Sequence, residues 1–235
     1  MDATTLSHVY LDLTTPHIAD ACMRLGVDVR CAPTSVRPLW NNIHLVGRAR
    51  PVAHHGSVDV FLEAIDHAEK GEVLVVDNGG REDEACVGDL IALETASAGL
   101  AGIVIWGLHR DTVQLKAIHL PVFSGGSLPN GPDRGRAGGE LLVEQVRCGD
   151  HIVTRDDYVV ADDDGVVFVP MRDAPAVADL ATVIRDTERT QAAKMITGTT
   201  FRTQSQFDDY RAARESDSSV TFRDHLRSIG RAIEE

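Results

Sequence analysis

The chain has 235 residues, 43% of them hydrophobic and 25% charged, enough for one substantial core plus an arm or for two small domains. A formal net charge of −13 turns most of the surface against nucleic acid, which disfavours direct DNA or RNA binding but leaves small anionic substrates and a basic protein partner open. No apolar stretch is long enough to span a bilayer, and Met1–Thr15 carries Asp2 and Asp12 without a basic start and apolar segment, so neither a membrane span nor a secretory signal is expected.

In chain order, Thr15 to Leu25 predicts a short helix, with Pro16 near its start, Ile18, Ala21, Cys22 and Leu25 on one face, and Gly26 as the stop. Residues 33–42 read as irregular. His44 to Val52 is strand-like, and Gly47 inside it suggests a bulge or a close approach. Val58 to Glu69 has helical spacing, with Val58, Phe61, Leu62, Ile65 and Ala68 as its apolar stripe. Val73 to Val76 is a continuous apolar strand, short enough to be buried on both faces. A flexible loop, Asp77-Asn-Gly-Gly80, follows it. Leu90 to Gly99 reads as a crossover helix, Ile103 to Trp106 as the next buried strand, and Leu120 to Phe123 as another. This βαβαβ rhythm implies a parallel core sheet with right-handed crossovers.

The character then changes. Residues 124–139 are rich in Gly and Pro and read as a long loop. Strand–turn–strand signals follow: Leu141 to Val146, His151 to Thr154, Tyr158 to Ala161, and Val166 to Val169 after an Asp-Gly turn. The fold class is therefore α/β, with antiparallel hairpins in the same domain. Ala174 to Ile196 predicts a long amphipathic helix with Val177, Leu180, Ala181, Ile184 and Ala192 on its apolar side. The polar tail from Phe201 holds a second helical piece, Phe222 to Ile233. The expected division is a domain over residues 1–198 and a helical extension over 199–235 that packs on a neighbouring subunit.

Four scattered cysteines, Cys22, Cys31, Cys86 and Cys148, form neither a zinc knuckle nor a redox pair. They read as reduced, mostly buried thiols in a cytoplasmic protein. Lysine occurs only at positions 70, 116 and 194, and nothing beside them suggests the depressed pKa that a Schiff base needs. Carbonyl chemistry is thereby pushed toward a metal. P-loop, GxGxxG, GxSxG and HExxH patterns are missing.

The chemistry concentrates at two short pairs. Gly88-Asp89 opens a helix whose first amides, those of Leu90 and Ile91, carry partial positive charge and can bind a carboxylate. Asp89 either caps that helix or orders a water that moves protons. Arg110-Asp111 follows the strand Gly102-Ile-Val-Ile-Trp-Gly107. The arginine offers a fork to a carboxylate or carbonyl oxygen, and the aspartate is a hard ligand for Mg²⁺ or Mn²⁺. A structural ion pair with outside partners is the alternative. Asn78, Gly79 and Gly80 let a backbone approach a ligand or form a simple loop. Asp162-Asp163-Asp164-Gly165 reads as a hairpin turn before a metal site, and His54-His55 lacks an evident third ligand.

The ordered set Val73-Leu-Val-Val-Asp-Asn-Gly-Gly80, Gly88-Asp89, Gly102 to Gly107, Arg110-Asp111, Pro121-Val-Phe123 and Ala161 to Pro170 resembles the RraA-like family, which includes metal-dependent 4-hydroxy-4-methyl-2-oxoglutarate / 4-carboxy-4-hydroxy-2-oxoadipate aldolases and regulators of ribonuclease E. The resemblance spans about Thr15 to Pro170. It implies a swivelling β/β/α fold, homotrimers or homohexamers with sites at subunit interfaces, and a pyruvate-releasing aldolase that also decarboxylates oxaloacetate. It further implies that Asp111 holds Mg²⁺ or Mn²⁺ and Arg110 contacts the pyruvyl oxygen. The amides after Gly88, of Leu90 and Ile91, would hold the substrate carboxylate, and Asp89 would order a catalytic water. Glu188 of an adjacent subunit is the candidate that completes the metal site. Trp106 and Gln114 depart from the family pattern, each standing where an acid is common. The leading expectation is metal-assisted C–C cleavage of a small 2-oxo acid. A non-catalytic regulator that binds a basic partner is the alternative, as is a lyase for a sugar-acid-derived keto acid.

Overall fold

The computed structural model describes residues 3–132 and 140–230. Two helices lead the chain, α1 (Ala3–Tyr10) and α2 (Thr15–Leu25). The second has the expected bounds, with Pro in its first turn and Gly26 in the left-handed conformation at its end. Strands β1 (Arg30–Cys31), β2 (Arg37–Pro38) and β3 (Leu45–Ala53) follow, then α3 (Asp59–Asp66), β4 (Val73–Asp77), β5 (Ala85–Val87), α4 (Asp89–Ser97), β6 (Gly102–Trp106), β7 (Leu108–His109), α5 (Thr112–Ile118) and β8 (Val122–Ser124).

The hairpin β9 (Gln145–Cys148) and β10 (His151–Thr154) precedes a second one, β11 (Asp157–Asp162) and β12 (Gly165–Pro170). Helix α6 (Ala174–Ile196) then leads to α7 (Phe201–Gln204), α8 (Phe207–Ser216) and α9 (Phe222–Ser228). The expected 124–139 loop is described as far as residue 132, and its remainder lies outside the described residues.

The main sheet runs β1-β12-β11-β3-β4-β6-β8-β2. Its centre is parallel, β3 to β4 to β6 to β8, and its flanks are antiparallel. It curls: Arg37 Nη1 at the β2 end donates to the Asp164 carbonyl in the β11–β12 turn, 2.8 Å away. The alternating side chains of β4 show why its apolar run is unbroken. Leu74 and Val76 pack under α3, α4 and α5 with Phe61, Ile91 and Leu115. Val73 and Val75 face the inside of the curl, with Phe123, Phe168 and the β9–β10 residues Val146 and Val153. A third apolar layer joins α1, α2 and α6 to the back of β11 and β12 through Tyr10, Ile18, Tyr158, Val169 and Val177.

Gly47 serves as a close approach, because a Cβ there would collide with the carbonyl oxygen of Gly71. Asp162 is a structural residue. Its carboxylate accepts from the backbone N and the hydroxyl of Thr15, both at 2.7 Å, and so caps α2, while Asp163 accepts from the Asn42 amide. Cys22, Cys86 and Cys148 are buried and free, but Cys31 is exposed because β1 is an edge strand.

Other elements differ from expectation. Helix α3 is shorter than 58–69, and its buried residues are Val60, Phe61, Ala64 and Ile65, with Val58 and Leu62 left about half exposed. Towards its C-terminal end α6 buries Gln191 rather than Ala192. In the tail, Gln204 Nε2 donates to the Gln191 carbonyl at 3.1 Å and His225 Nε2 to the Ser205 carbonyl at 2.8 Å, around an aromatic group of Phe207, Tyr210 and Phe222. Among the described residues no helix is long and apolar enough to cross a membrane.

One buried ion pair locks β3 against the start of β4. Arg50 and Glu72 are 4% and 3% exposed at their side chains, with Nε and Nη2 at 2.7 and 2.6 Å from Glu72 Oε2, which also accepts from the Glu69 amide. Removing one member strands the other charge in a dry environment. Glu72→Ala is therefore expected to lower unfolding free energy by about 3–5 kcal/mol, read from urea denaturation. A loss below about 1 kcal/mol, the range of exposed pairs, would show that water reaches Arg50.

Candidate active site

Strands β5 and β7 form a separate two-stranded parallel ladder, Ala85 opposite Leu108 and Val87 opposite His109. Parallel strands deliver both chains to the same end. There, Gly88-Asp89 turns into α4 and Arg110-Asp111 turns into α5. The Arg110 amide closes the ladder on the Val87 carbonyl at 2.9 Å. Neither strand was anticipated from sequence, since three and two residues carry no readable periodicity.

At that end the two pairs meet. Asp111 Oδ2 lies 3.4 Å from the backbone N of Asp89 and 3.4 Å from Arg110 Nε. A Cβ on Gly88 would collide with the same Asp111 oxygen and would crowd Arg110 Nε at 3.2 Å. Glycine is thus required for closeness: its φ of −130° suits any residue. The Arg110 and Asp111 side chains are 46% and 35% exposed, where an ion pair adds at most about 1 kcal/mol. Asp111 sits in the left-handed region, φ 60° and ψ 40°, a strain of order 1–3 kcal/mol. The pair does not offset the strain it requires, which points to a purpose other than stability.

The Leu90 N–H donates to the Asp89 carboxylate at 2.8 Å, so Asp89 partly caps its own helix, and a ligand carboxylate seeking that amide would have to displace it. The Ile91 N–H belongs to the first turn, where no intrahelical acceptor exists. Glu188 lies on α6, in the layer shared with α2, where its Oε2 stands 3.2 Å from His17 Nε2. Since His17 Nδ1 accepts from the Thr14 amide at 3.1 Å, the proton on Nε2 points at Glu188. The Glu188 side chain is 43% exposed.

A cavity of about 960 Å³ opens from Gly88, Asp89 and Arg110 and runs along the groove between α3 and α4. Val58, Leu62, Leu90 and Leu93 line it, each 47–75% exposed. Fully burying such a side chain is worth about 1.5–3 kcal/mol. Four of them gathered at the surface form a standing cost that an occupant of the groove would relieve. Asn130 and Gly131 border the same cavity, with the Arg110 guanidinium set against Gly131.

A smaller cavity lies by His54, Asp77, Asn78 and Arg81. His54 Nδ1 is 2.8 Å from Asn78 Oδ1, and Gly80 rests on the Trp106 indole, over which the Arg147 guanidinium lies at 5.9 Å. Trp106 does not line the larger cavity, and Gln114 and Lys116 are exposed on α5.

His109 is the nearby titratable group that the sequence did not single out. It is buried, with Nδ1 2.6 Å from Ser124 Oγ and Nε2 3.1 Å from Thr112 Oγ1. Burial first, then the positive charge of Lys116, pushes its pKa down, while Asp111 pulls the other way.

Residues 15–168 match the RraA-like family, described as Aldolase/RraA, and the chain belongs to that family. Two similar relatives each carry the name "Putative 4-hydroxy-4-methyl-2-oxoglutarate aldolase". The one from Halalkalibacterium halodurans is 30% identical over 70% of this chain and 80% of that protein. The one from Ectopseudomonas mendocina is 33% identical over 66% and 93%. Among solved structures, an uncharacterized protein from Pseudomonas syringae pv. tomato superposes with a TM-score of 0.75 at 26% identity, covering 84% of this chain and 95% of that one. Streptomyces coelicolor RraAS2, described as an unusual member of the RNase ES inhibitor RraA protein family, gives 0.74 at 24% over 82% and 98%, a likeness of fold.

His109 supplies a pH signature. Its folded pKa is below the unfolded value of about 6.5, so the unfolded chain binds the extra proton and stability falls as pH drops below that value. In EDTA, the melting temperature should decline from pH 7.5 to 5.5, and less steeply in His109→Asn. Equal slopes in the two proteins would remove His109 as a source.

Proposed function

We propose that the chain is a divalent-metal-dependent lyase that cleaves a C–C bond of a small 2-oxo acid, releasing pyruvate by retro-aldol cleavage and decarboxylating oxaloacetate. The meeting of Asp111, Arg110 and the α4 N-terminus over Gly88 carries this reading, and the names of the relatives agree with it.

The donor set suits Mg²⁺ or Mn²⁺. Asp111 offers a partly exposed carboxylate in a cradle that only glycine leaves open. No three His, Cys, Asp or Glu side chains converge as a metal cluster among the described residues. That excludes a closed, all-protein zinc-type cage within this part of one chain, but suits a hard cation that keeps waters and takes substrate oxygens. Asp111 would hold the ion, with Glu188 of a neighbouring copy in a homotrimer or homohexamer as the candidate second carboxylate. When bound, the ion supplies positive charge to the 2-oxo oxygen and substrate carboxylate.

The chain's own groups account for the rest. Arg110 donates to the 2-oxo oxygen as negative charge grows there. The first-turn amides of α4 face the substrate carboxylate, which takes the Ile91 N–H and displaces the Asp89 carboxylate from the Leu90 N–H. In the retro-aldol direction, a water ordered by Asp89 takes the C4 hydroxyl proton. The C3–C4 bond breaks, C4 becomes a carbonyl, and the electron pair forms the pyruvate enolate, which is protonated at C3. Decarboxylation ends in the same enolate but needs no base. Arg110 therefore serves both reactions and Asp89 only the first.

Arg110→Ala is expected to lose about 100–1,000-fold in kcat for both oxaloacetate decarboxylation and pyruvate release from a 4-hydroxy-2-oxo acid. EDTA should abolish both, and Mg²⁺ should restore them. The net charge of −13 favours a second reading, a regulator docking on a basic partner. Such docking would weaken with salt and survive EDTA. Turnover unaffected by EDTA and by Arg110→Ala contradicts the metal-assisted mechanism, and no turnover of either substrate contradicts the lyase.

A further inference from the structure

Resting on that lyase reading, we infer that the groove between α3 and α4 selects 2-oxo acids whose departing portion is uncharged and apolar, rather than one bearing a second carboxylate.

The groove is continuous with the head-group site, since Gly88, Asp89 and Arg110 line the same cavity as Val58, Leu62 and Leu93. A substrate whose 2-oxo acid end meets Arg110 has its C4 substituents directed along the cavity or out to solvent. The cavity, about 960 Å³, is far larger than a pyruvyl unit requires. Its apolar lining is an outcome that sequence pattern does not anticipate, for Val58 and Leu62 continue the core stripe of α3 yet stand about half exposed.

Charge points the same way. Among the described lining residues Arg110 is the cation, and it serves the head group. The other charged residues there are Asp89 and Glu94, both anionic. Among the described residues a second carboxylate entering the groove would find no cation of its own and would approach Glu94 instead. An alkyl tail would instead cover Leu62, Leu90 and Leu93. The substrate named for the relatives, 4-hydroxy-4-methyl-2-oxoglutarate, is a dicarboxylate, so this groove predicts a different preference. The bond broken is the same C3–C4 bond; the second product is an aliphatic aldehyde or ketone.

The test compares kcat/KM for pyruvate release from 4-hydroxy-2-oxoheptanoate and from 4-hydroxy-4-methyl-2-oxoglutarate, in Mg²⁺, with the full chain. The alkyl compound should be favoured by about tenfold or more. Leu93→Lys, at an exposed position that leaves the core intact, should move the ratio toward the dicarboxylate by a similar factor. A wild-type preference for the dicarboxylate overturns the inference. So does a ratio that Leu93→Lys leaves unchanged, including the case where that variant alters the oligomeric state by light scattering, which would assign the groove to a second copy. Oxaloacetate, too short to reach the groove, reports the head-group site in the wild type. Its turnover alongside a dicarboxylate preference sinks this inference alone, whereas no turnover of any compound sinks the lyase reading with it.

Discussion

The site depends on the close approach of the Asp111 carboxylate to the Gly88 backbone. Any side chain at position 88 would push that carboxylate away from the start of α4 and from Arg110. With glycine there, a helix N-terminus, a guanidinium and a hard oxygen donor share one small volume. Each alone is a common surface feature. Their coincidence requires a left-handed Asp111 and a parallel β5–β7 ladder, features that cost energy or chain length and give no matching return in stability.

The rest of the fold serves this convergence. Strands β4 and β6 are buried on both faces, between the α3–α5 layer and the inside of the curled sheet, and they fix where their C-terminal ends emerge. The Arg50–Glu72 pair and the Gly47–Gly71 approach pin the entry to β4. His109 anchors the other approach, joining β7 to Ser124 and to Thr112 at the start of α5. The guanidinium of Arg110 therefore projects from a backbone held on both sides.

Much of this was readable from residues alone. The α2 and α6 bounds follow from Pro16, Gly26 and an unbroken 3.6-residue pattern, and β4 and β6 follow from apolar runs too short for helices. The two reactive pairs were identifiable by residue type, and their order along the chain carried the family resemblance. Their convergence where two crossovers end was legible too, but the contact that joins them was not, because it depends on strands of three and two residues and on positions far apart in sequence. Helix α1 and the α7–α8 segment were missed for a related reason: short helices with few apolar positions give little periodic signal. The exposure of Val58 and Leu62 was hidden by the same periodicity that located α3, since an apolar stripe does not say whether its edge is core or groove wall.

Glu188 bridges two helices of its own chain. Its carboxylate is held by His17 and remains partly exposed, a posture equally suited to an ordinary helix–helix bridge and to a neighbour's site. The central account does not require it, because the Gly88 cradle is formed within one chain.

That cradle is tested most directly by Mn²⁺ titration, followed by electron paramagnetic resonance, of the wild type and of Gly88→Ala. The backbone at position 88 tolerates alanine, so a change reports the collision with Asp111 rather than misfolding, and an unchanged melting temperature verifies this. The account predicts saturable binding by the wild type and a loss on the order of 10–100-fold in affinity for Gly88→Ala. Equal affinity in the two proteins, or no specific binding by either, would contradict it.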